Sequence, residues 1–197
     1  MSDEYSTDEQ AQLLALARQS LRAAAAGESR PRPNLETLSP RLCEQRACFV
    51  TLTIGGELRG CTGTLAARRS LAEEVAVTTA QTALNDPRFS PVTVGEVPRV
   101  RIEISVLTPS QPLKFDSPDE IPHLLRPLID GVTLRLGPYR STFLPQVWER
   151  VPDPLLFLSM LSRKMGLPGD AWRHEGIEVE TYQTVIIEEH EDDPAQV

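Results

Sequence analysis

Cys48-Phe49-Val50-Thr51-Leu52-Thr53-Ile54-Gly55-Gly56-Glu57-Leu58-Arg59-Gly60-Cys61-Thr62-Gly63-Thr64 reads as an antiparallel hairpin. Cys48, Val50, Leu52 and Ile54 alternate with Phe49, Thr51 and Thr53, the period of two that sends alternate side chains to opposite faces of a strand. Gly55-Gly56 supplies positive φ without steric cost, which suits a tight two-residue turn. The returning strand starts at Glu57 and carries Leu58 to Thr64. A two-residue turn pairs Leu52 with Arg59 and Val50 with Cys61, and directly opposed residues share a face. The spacing therefore predicts Arg59 and Cys61 on the face of Val50 and Leu52. A one-residue slip in register would reverse that assignment.

On the N-terminal side, Ser6 and Thr7 precede Glu9 and Gln10 at capping-box spacing. Leu14, Ala17, Leu21 and Ala25 repeat at helical spacing, which predicts a helix over 7–26 stopped by Gly27. Arg30-Pro31-Arg32-Pro33 reads as a loop. On the C-terminal side, Ser70 sits three residues before Glu73 and opens a helix that Asn85-Asp86-Pro87 ends. Val100, Ile102, Ile104 and Val106 alternate with polar residues and predict a strand. The proline-rich stretch 110–127 holds a short helix near 117–125 and is the expected junction with a second lobe. Gly131 opens a further hairpin that turns at Gly137-Pro138. Asp153-Pro154 starts a helix that Gly166 closes. Ile177, Val179, Thr181, Val185 and Ile187 predict one final strand, and from Glu188 the chain is expected to be an acidic, disordered tail. Antiparallel hairpins with interspersed helices argue for an α+β class, an antiparallel sheet with flanking helices, rather than a doubly wound parallel fold.

The net charge of −8 over 197 residues disfavours nucleic-acid binding, because an acidic chain gains nothing from counterion release on a phosphate backbone. The pair Arg99 and Arg101 reads as solvated surface charge. No apolar run is long enough to span a bilayer, and the polar, acidic start Met1-Ser2-Asp3-Glu4 is not a signal peptide, so a cytoplasmic location is expected. The three cysteines Cys43, Cys48 and Cys61 are a poor disulfide framework. With His123, His174 and His190 scattered, they do not match zinc spacings either, so neither a metal nor a cofactor is expected.

Gly60 and Gly63 flank Cys61 and weaken a strand. A strand tolerates this where a ligand or another backbone comes close. Cys61 has two readings. It is a thiol whose thiolate is favoured by the Arg59 cation, acting as nucleophile or substrate contact, or it is a small core hydrophobe. Asp86-Pro87-Arg88-Phe89 also has two. Arg88 presents a fork to a carboxylate or phosphate, or Asp86 and Arg88 stabilise the end of the helix and its loop. Trp148, in Thr142-Phe143-Leu144-Pro145-Gln146-Val147-Trp148, reads as a core anchor.

Taken in order, these segments resemble the AMMECR family. The matching stretches are Cys48 to Leu52, Gly56 to Leu65 with Leu58-Arg59-Gly60-Cys61-Thr62-Gly63-Thr64 at its centre, Asp86 to Phe89, Ile104-Ser105-Val106-Leu107-Thr108-Pro109, Ile129-Asp130-Gly131 and Thr142 to Trp148. Met165-Gly166-Leu167-Pro168 with Trp172 also fits. Thr62 stands where the family usually has isoleucine, which places a hydroxyl near the motif. The resemblance implies a two-lobed α+β domain over 13–187, between an N-terminal extension (1–12) and the tail (188–197), with the Cys61 segment near a cleft. The residues themselves, a glycine-flanked Cys beside a cation, make Cys61 and Arg59 the catalytic candidates, and Gly60, Gly63, Thr64, Asp86 and Arg88 the substrate-binding candidates. The resemblance also implies association with a Memo-family protein and a radical S-adenosylmethionine protein, as for protein A of the AmmeMemoRadiSam system. It carries no reaction. An adaptor that binds protein partners is the alternative function, and an RNA-associated regulator is the reading least favoured by the charge.

Overall fold

A computed structural model describes residues 5–189. In chain order the elements are helix α1 (Thr7–Ala26), strands β1 (Cys48–Ile54) and β2 (Glu57–Gly63), helix α2 (Leu71–Asn85), and strands β3 (Val100–Leu107) and β4 (Gln111–Pro112). They continue with helix α3 (Ile121–Leu124), strands β5 (Gly131–Leu136) and β6 (Tyr139–Phe143), helix α4 (Pro154–Lys164), and strands β7 (Glu178–Tyr182) and β8 (Thr184–Glu188). The class is α+β as read from the sequence, with two antiparallel sheets in place of one, ordered β2-β1-β3-β8 and β4-β7-β5-β6. The chain forms two units. Among the described residues, one holds 5–107 and 185–189, and the other is Thr108–Thr184.

In the first unit, α1 begins at a Ser6/Glu9 capping box and ends at Gly27 with φ 71°, as its sequence predicts. The Ser70/Glu73 box opens α2 in the same way. Cys48, Val50 and Leu52 are fully buried on one face of β1 and share a core with Ile102 and Ile104 of β3 and with Leu13, Leu21 and Val75 of the helices. Residues 5–12, expected as an extension, include the first turns of α1, and Tyr5 is buried in this core.

Glu188 and Glu189 do not belong to a disordered tail. Glu188 closes β8, and the buried Glu189 donates its backbone N–H to Ile102 O at 3.1 Å and accepts from Ile102 N through its carboxylate at 3.0 Å. Its carboxylate pairs with the buried Arg18 of α1, whose guanidinium also donates to Val97 O at 3.0 Å and Val100 O at 2.8 Å. A buried acidic residue is tolerated because every polar atom of this cluster is used. The remainder of the expected tail, 190–197, lies outside the described residues.

The expected final strand is also two strands. It breaks at Gln183, so that β7 belongs to the second sheet and β8 to the first. The alternation also fails within β7, where the buried Val179 and Tyr182 lie three residues apart.

The second unit has its own core. Trp148 is fully buried, stacks on Phe157 at 3.7 Å between ring centroids and donates from Nε1 to Asp130 O at 2.7 Å, as expected of an anchor. Asp153 caps α4 by accepting from Leu156 N at 2.7 Å, with Pro154 at the first helical position. The Tyr182 ring lies over Gly131, where a Cβ would sit 2.4 Å from it.

Candidate functional site: the Cys61 hairpin

The Gly55-Gly56 turn has two residues, and it pairs Ile54 with Glu57 and Thr53 with Leu58 as predicted. The predicted register then fails. A β-bulge at Arg59 slips the pairing, so Gly60 opposes Leu52, Cys61 opposes Thr51 and Thr62 opposes Val50. Cys61 therefore lies on the face of Thr51, not on the face of Val50 and Leu52. The physical reason is visible in α2. A Cβ at Gly60 would stand 3.0–3.1 Å from Thr82 Cγ2 and its carbonyl oxygen, tighter than ordinary packing, so glycine eases the close approach of β2 to this helix. Thr62 points the same way, its hydroxyl 2.6 Å from the Thr82 hydroxyl. The Thr62 hydroxyl is thus turned towards α2 and away from the Cys61 thiol.

Gly63 is required by an aromatic ring. A Cβ there would be 2.4 Å from Phe49 Cγ and 2.5 Å from Cys48 O. Thr64 accepts from Ala66 N at 3.1 Å and fixes the turn that leaves the strand. The backbone approach that the sequence suggests at Gly60 and Gly63 is therefore made by α2 and by Phe49.

β2 is an edge strand, so alternate backbone groups face away from β1. At Cys61 they are taken up by the Asp86-Pro87-Arg88 segment. The Cys61 N–H donates to Asp86 Oδ2 at 2.8 Å, and Arg88 Nη2 donates to Cys61 O at 3.0 Å. Asp86, itself buried, also accepts from Arg88 N at 3.1 Å, Nε at 2.9 Å and Nη2 at 2.7 Å. The Arg88 guanidinium, helped by the backbone N–H groups of Cys61 and Arg88, holds the Asp86 carboxyl well below the usual carboxylate range, against the opposing effect of its burial. The same pairing raises the Arg88 pKa. Asp86 and Arg88 thus form a charged clamp that closes the edge at Cys61.

Arg59 is engaged elsewhere. Its Nε donates to Glu96 Oε1 at 2.8 Å, and Nη1 and Nη2 donate to Ser90 O at 2.9 Å and Pro91 O at 3.3 Å. Glu96 accepts from Arg59 and from Thr93, which lowers its pKa to about 2. The expected use of Arg59 as the cation that favours a Cys61 thiolate does not match this geometry, because its guanidinium already serves an anion and two carbonyls. Both Arg59 and Arg88 approach the Phe89 ring, at 6.0 and 5.4 Å from its centroid. The structure thus gathers Arg59, Cys61, Asp86 and Arg88 around one loop.

The Cys61 thiol is half-buried and lies 3.4 Å from the Thr51 hydroxyl, which donates to it. Thr51 in turn opposes Glu103 of β3, and Ser105 donates to Glu103 at 3.2 Å. A row of Cys61, Thr51 and Glu103 thus crosses three strands on the face opposite α2. Sequence reading missed Thr51, Glu103 and Glu96 as neighbours. The Thr93-x-x-Glu96 spacing was a signal for the last, whereas Thr51 and Glu103 depend on the slipped register. Cys48 is the core thiol, with burial, and secondarily Glu74, pushing its pKa up to about 12. Among the described residues, no group of three or more His, Cys, Asp or Glu is placed to hold a metal ion.

The AMMECR1 family model matches residues 14–187. The chain belongs to the AMMECR1 family. Its relatives include a protein of Thermofilum pendens, 35% identical over 195 residues that cover 93% of this chain and 91% of that one. Protein MJ0810 of Methanocaldococcus jannaschii is 37% identical over 151 residues, 75% of each chain. The crystal structure of the uncharacterized protein PH0010 from Pyrococcus horikoshii has the same fold, with a TM-score of 0.81, 31% identity and coverage of 94% of this chain and 93% of that one. No described helix of this AMMECR1 member is long and apolar enough to cross a membrane.

Proposed function

We propose that this AMMECR1 protein is a small-molecule-binding component in which Cys61 and Thr51 meet a polar ligand on the face of the first sheet opposite α2. The observation that carries this reading is the division of labour at Cys61. Its backbone is fixed by a charged clamp, while its half-buried thiol has a hydroxyl partner and a carboxylate two strands away. A rigid backbone beneath a reactive side chain is what a preorganised contact requires. In this reading Asp86 and Arg88 position the strand, Gly60 and Gly63 permit its packing, Arg59 fixes the bulge, and Cys61 is the residue that touches ligand. The protein works, in the same proposal, beside Memo-type and radical S-adenosylmethionine proteins, a neighbourhood supported by the family resemblance.

The test is thiol reactivity in a Cys43→Ser background. Iodoacetamide is expected to label Cys61 and spare Cys48, and crystals soaked in a metabolite mixture are expected to show density against Cys61 Sγ. An inert Cys61, with no soaked density on this face, would sink the reading.

One observation favours the adaptor alternative. Leu128 and Ile129 are exposed at 63% and 49%, and Leu128 holds φ at +67°, the left-handed region that a branched side chain rarely adopts. In an adaptor these residues meet a protein partner. Co-purification with a Memo-type partner that Leu128→Asp abolishes, and that Cys61→Ser leaves intact, would favour the adaptor over the ligand-binding reading.

A further inference from the structure

In the second unit the chain peels away from β7 just after β4. The Leu113 N–H still donates to Val179 O at 2.8 Å. Beyond it, the segment 114–116, the end of α3 and β7 surround a cleft of about 560 Å³, within the range of about 300–1,000 Å³ typical of small-molecule sites. None of its lining residues comes from the Cys61 hairpin. Its apolar lining is Leu113, Phe115, Leu124, Ile177 and Val179, of which Ile177 and Val179 are buried and Leu124 is exposed. Its charged lining is Asp116, Glu120, Glu178 and Glu180 against the single cation Lys114.

These carboxylates are weakly committed. Glu178 and Glu180 reach Arg135 and Arg140 at 3.6 and 3.5 Å, in pairs whose four side chains are all largely exposed. Glu120 accepts from the Asp116 N–H at 3.2 Å, and among the described residues neither Asp116 nor Glu120 has an ion-pair partner. A cleft lined by apolar and acidic side chains together is complementary to a molecule with an apolar body and a positive end.

We propose that this cleft binds a small organic cation, with its ammonium or guanidinium group over Glu178, Glu180 and Glu120 and its apolar body against Phe115 and Leu124. The site is separate from the Cys61 face, and the proposal stands or falls without it.

The test uses the full chain, labelled with nitrogen-15, and three indole probes of similar shape: tryptamine (cationic), tryptophol (neutral) and indole-3-acetate (anionic). Tryptamine is expected to shift the amides of 113–116 and 177–180, and to bind more tightly than tryptophol, with indole-3-acetate weakest. Each exposed carboxylate removed should weaken tryptamine about two- to fivefold, so Glu178→Gln with Glu180→Gln should lose about tenfold. Glu120→Gln tests the opposite wall and should lose a similar single factor. Lys114→Glu should tighten binding. Equal affinity for the three probes, shifts elsewhere in the chain only, or unchanged affinity in both carboxamide variants would each overturn the proposal.

Discussion

Asp86 carries more of the Cys61 segment than any other side chain. Its carboxylate accepts four hydrogen bonds, from one backbone N–H of β2 and three donors of Arg88. Charge-assisted bonds of this kind contribute roughly 1.5–3 kcal/mol each when measured by truncation. Asp86→Ala should therefore cost about 2–3 kcal/mol in urea unfolding and should loosen β2, read as faster amide exchange at Cys61. Unchanged exchange there would remove the clamp from the account. Asp86 and Glu96 also set an acid limb. Both have folded pKa values depressed by an arginine partner, Glu96 to about 2. Their stabilisation is fully present above the ordinary carboxylate range near pH 4 and is lost as pH falls towards about 2 and below. Glu96 is partly exposed, so its share is discounted for solvent screening to about 1 kcal/mol. Glu96→Gln should flatten the loss of stability between pH 4.5 and 2 relative to the parent chain.

Gly63 gives a further test at this scale. A methyl group would overlap both the Phe49 ring and the Cys48 carbonyl, and the carbonyl cannot rotate away. Overpacking of this kind costs about 1–3 kcal/mol. Gly63→Ala should sit at the upper end of that range, and Phe49→Leu in the same chain should restore part of the loss. The two glycines of the motif were legible as sites of close approach. What approaches them was not, because Thr82 and Phe49 are brought there by the helix and by the partner strand.

At the scale of elements, local signals did most of the work. The Ser6/Glu9 and Ser70/Glu73 boxes, the Gly27 cap and the Asp153-Pro154 start set helix ends within a few residues, so their neighbours in sequence sufficed. The β2 register was not local. Turn chemistry predicts the first two pairs correctly, and the bulge at Arg59 then slips the rest by one residue. The bulge answers two distant demands, the α2 surface against Gly60 and Glu96 beneath Arg59. Nor was the last strand local. Gln183 divides it because its two halves belong to different sheets. The end of β8 yields a prediction. Glu189→Ala leaves Arg18 charged and buried without its carboxylate, and breaking such a pair costs about 3–5 kcal/mol. A chain truncated after Glu188 should lose a similar amount by the same assay.

At the scale of the whole molecule, two cores are built from one chain, each around its own four-stranded sheet. Trp148 and Trp172 are the protein's two tryptophans, and both lie in the core of the second unit, so intrinsic fluorescence reports that unit. Phe157→Ala removes the ring stacked on Trp148 and should lower its fluorescence-detected stability by about 3–5 kcal/mol.

The sequence by itself determined the α+β class, the helix boundaries, the hairpin turn, the anchor role of Trp148 and membership of the AMMECR1 family. All of these rest on periodicity, capping and ordered motifs, which act between near neighbours. The tertiary structure alone decided which face Cys61 occupies, that Arg59 serves Glu96, that Asp86 and Arg88 clamp a strand edge, and that Glu189 is a buried partner rather than tail. Each of these depends on a side chain from another element, and a period of two turns a shift of one residue into the opposite face.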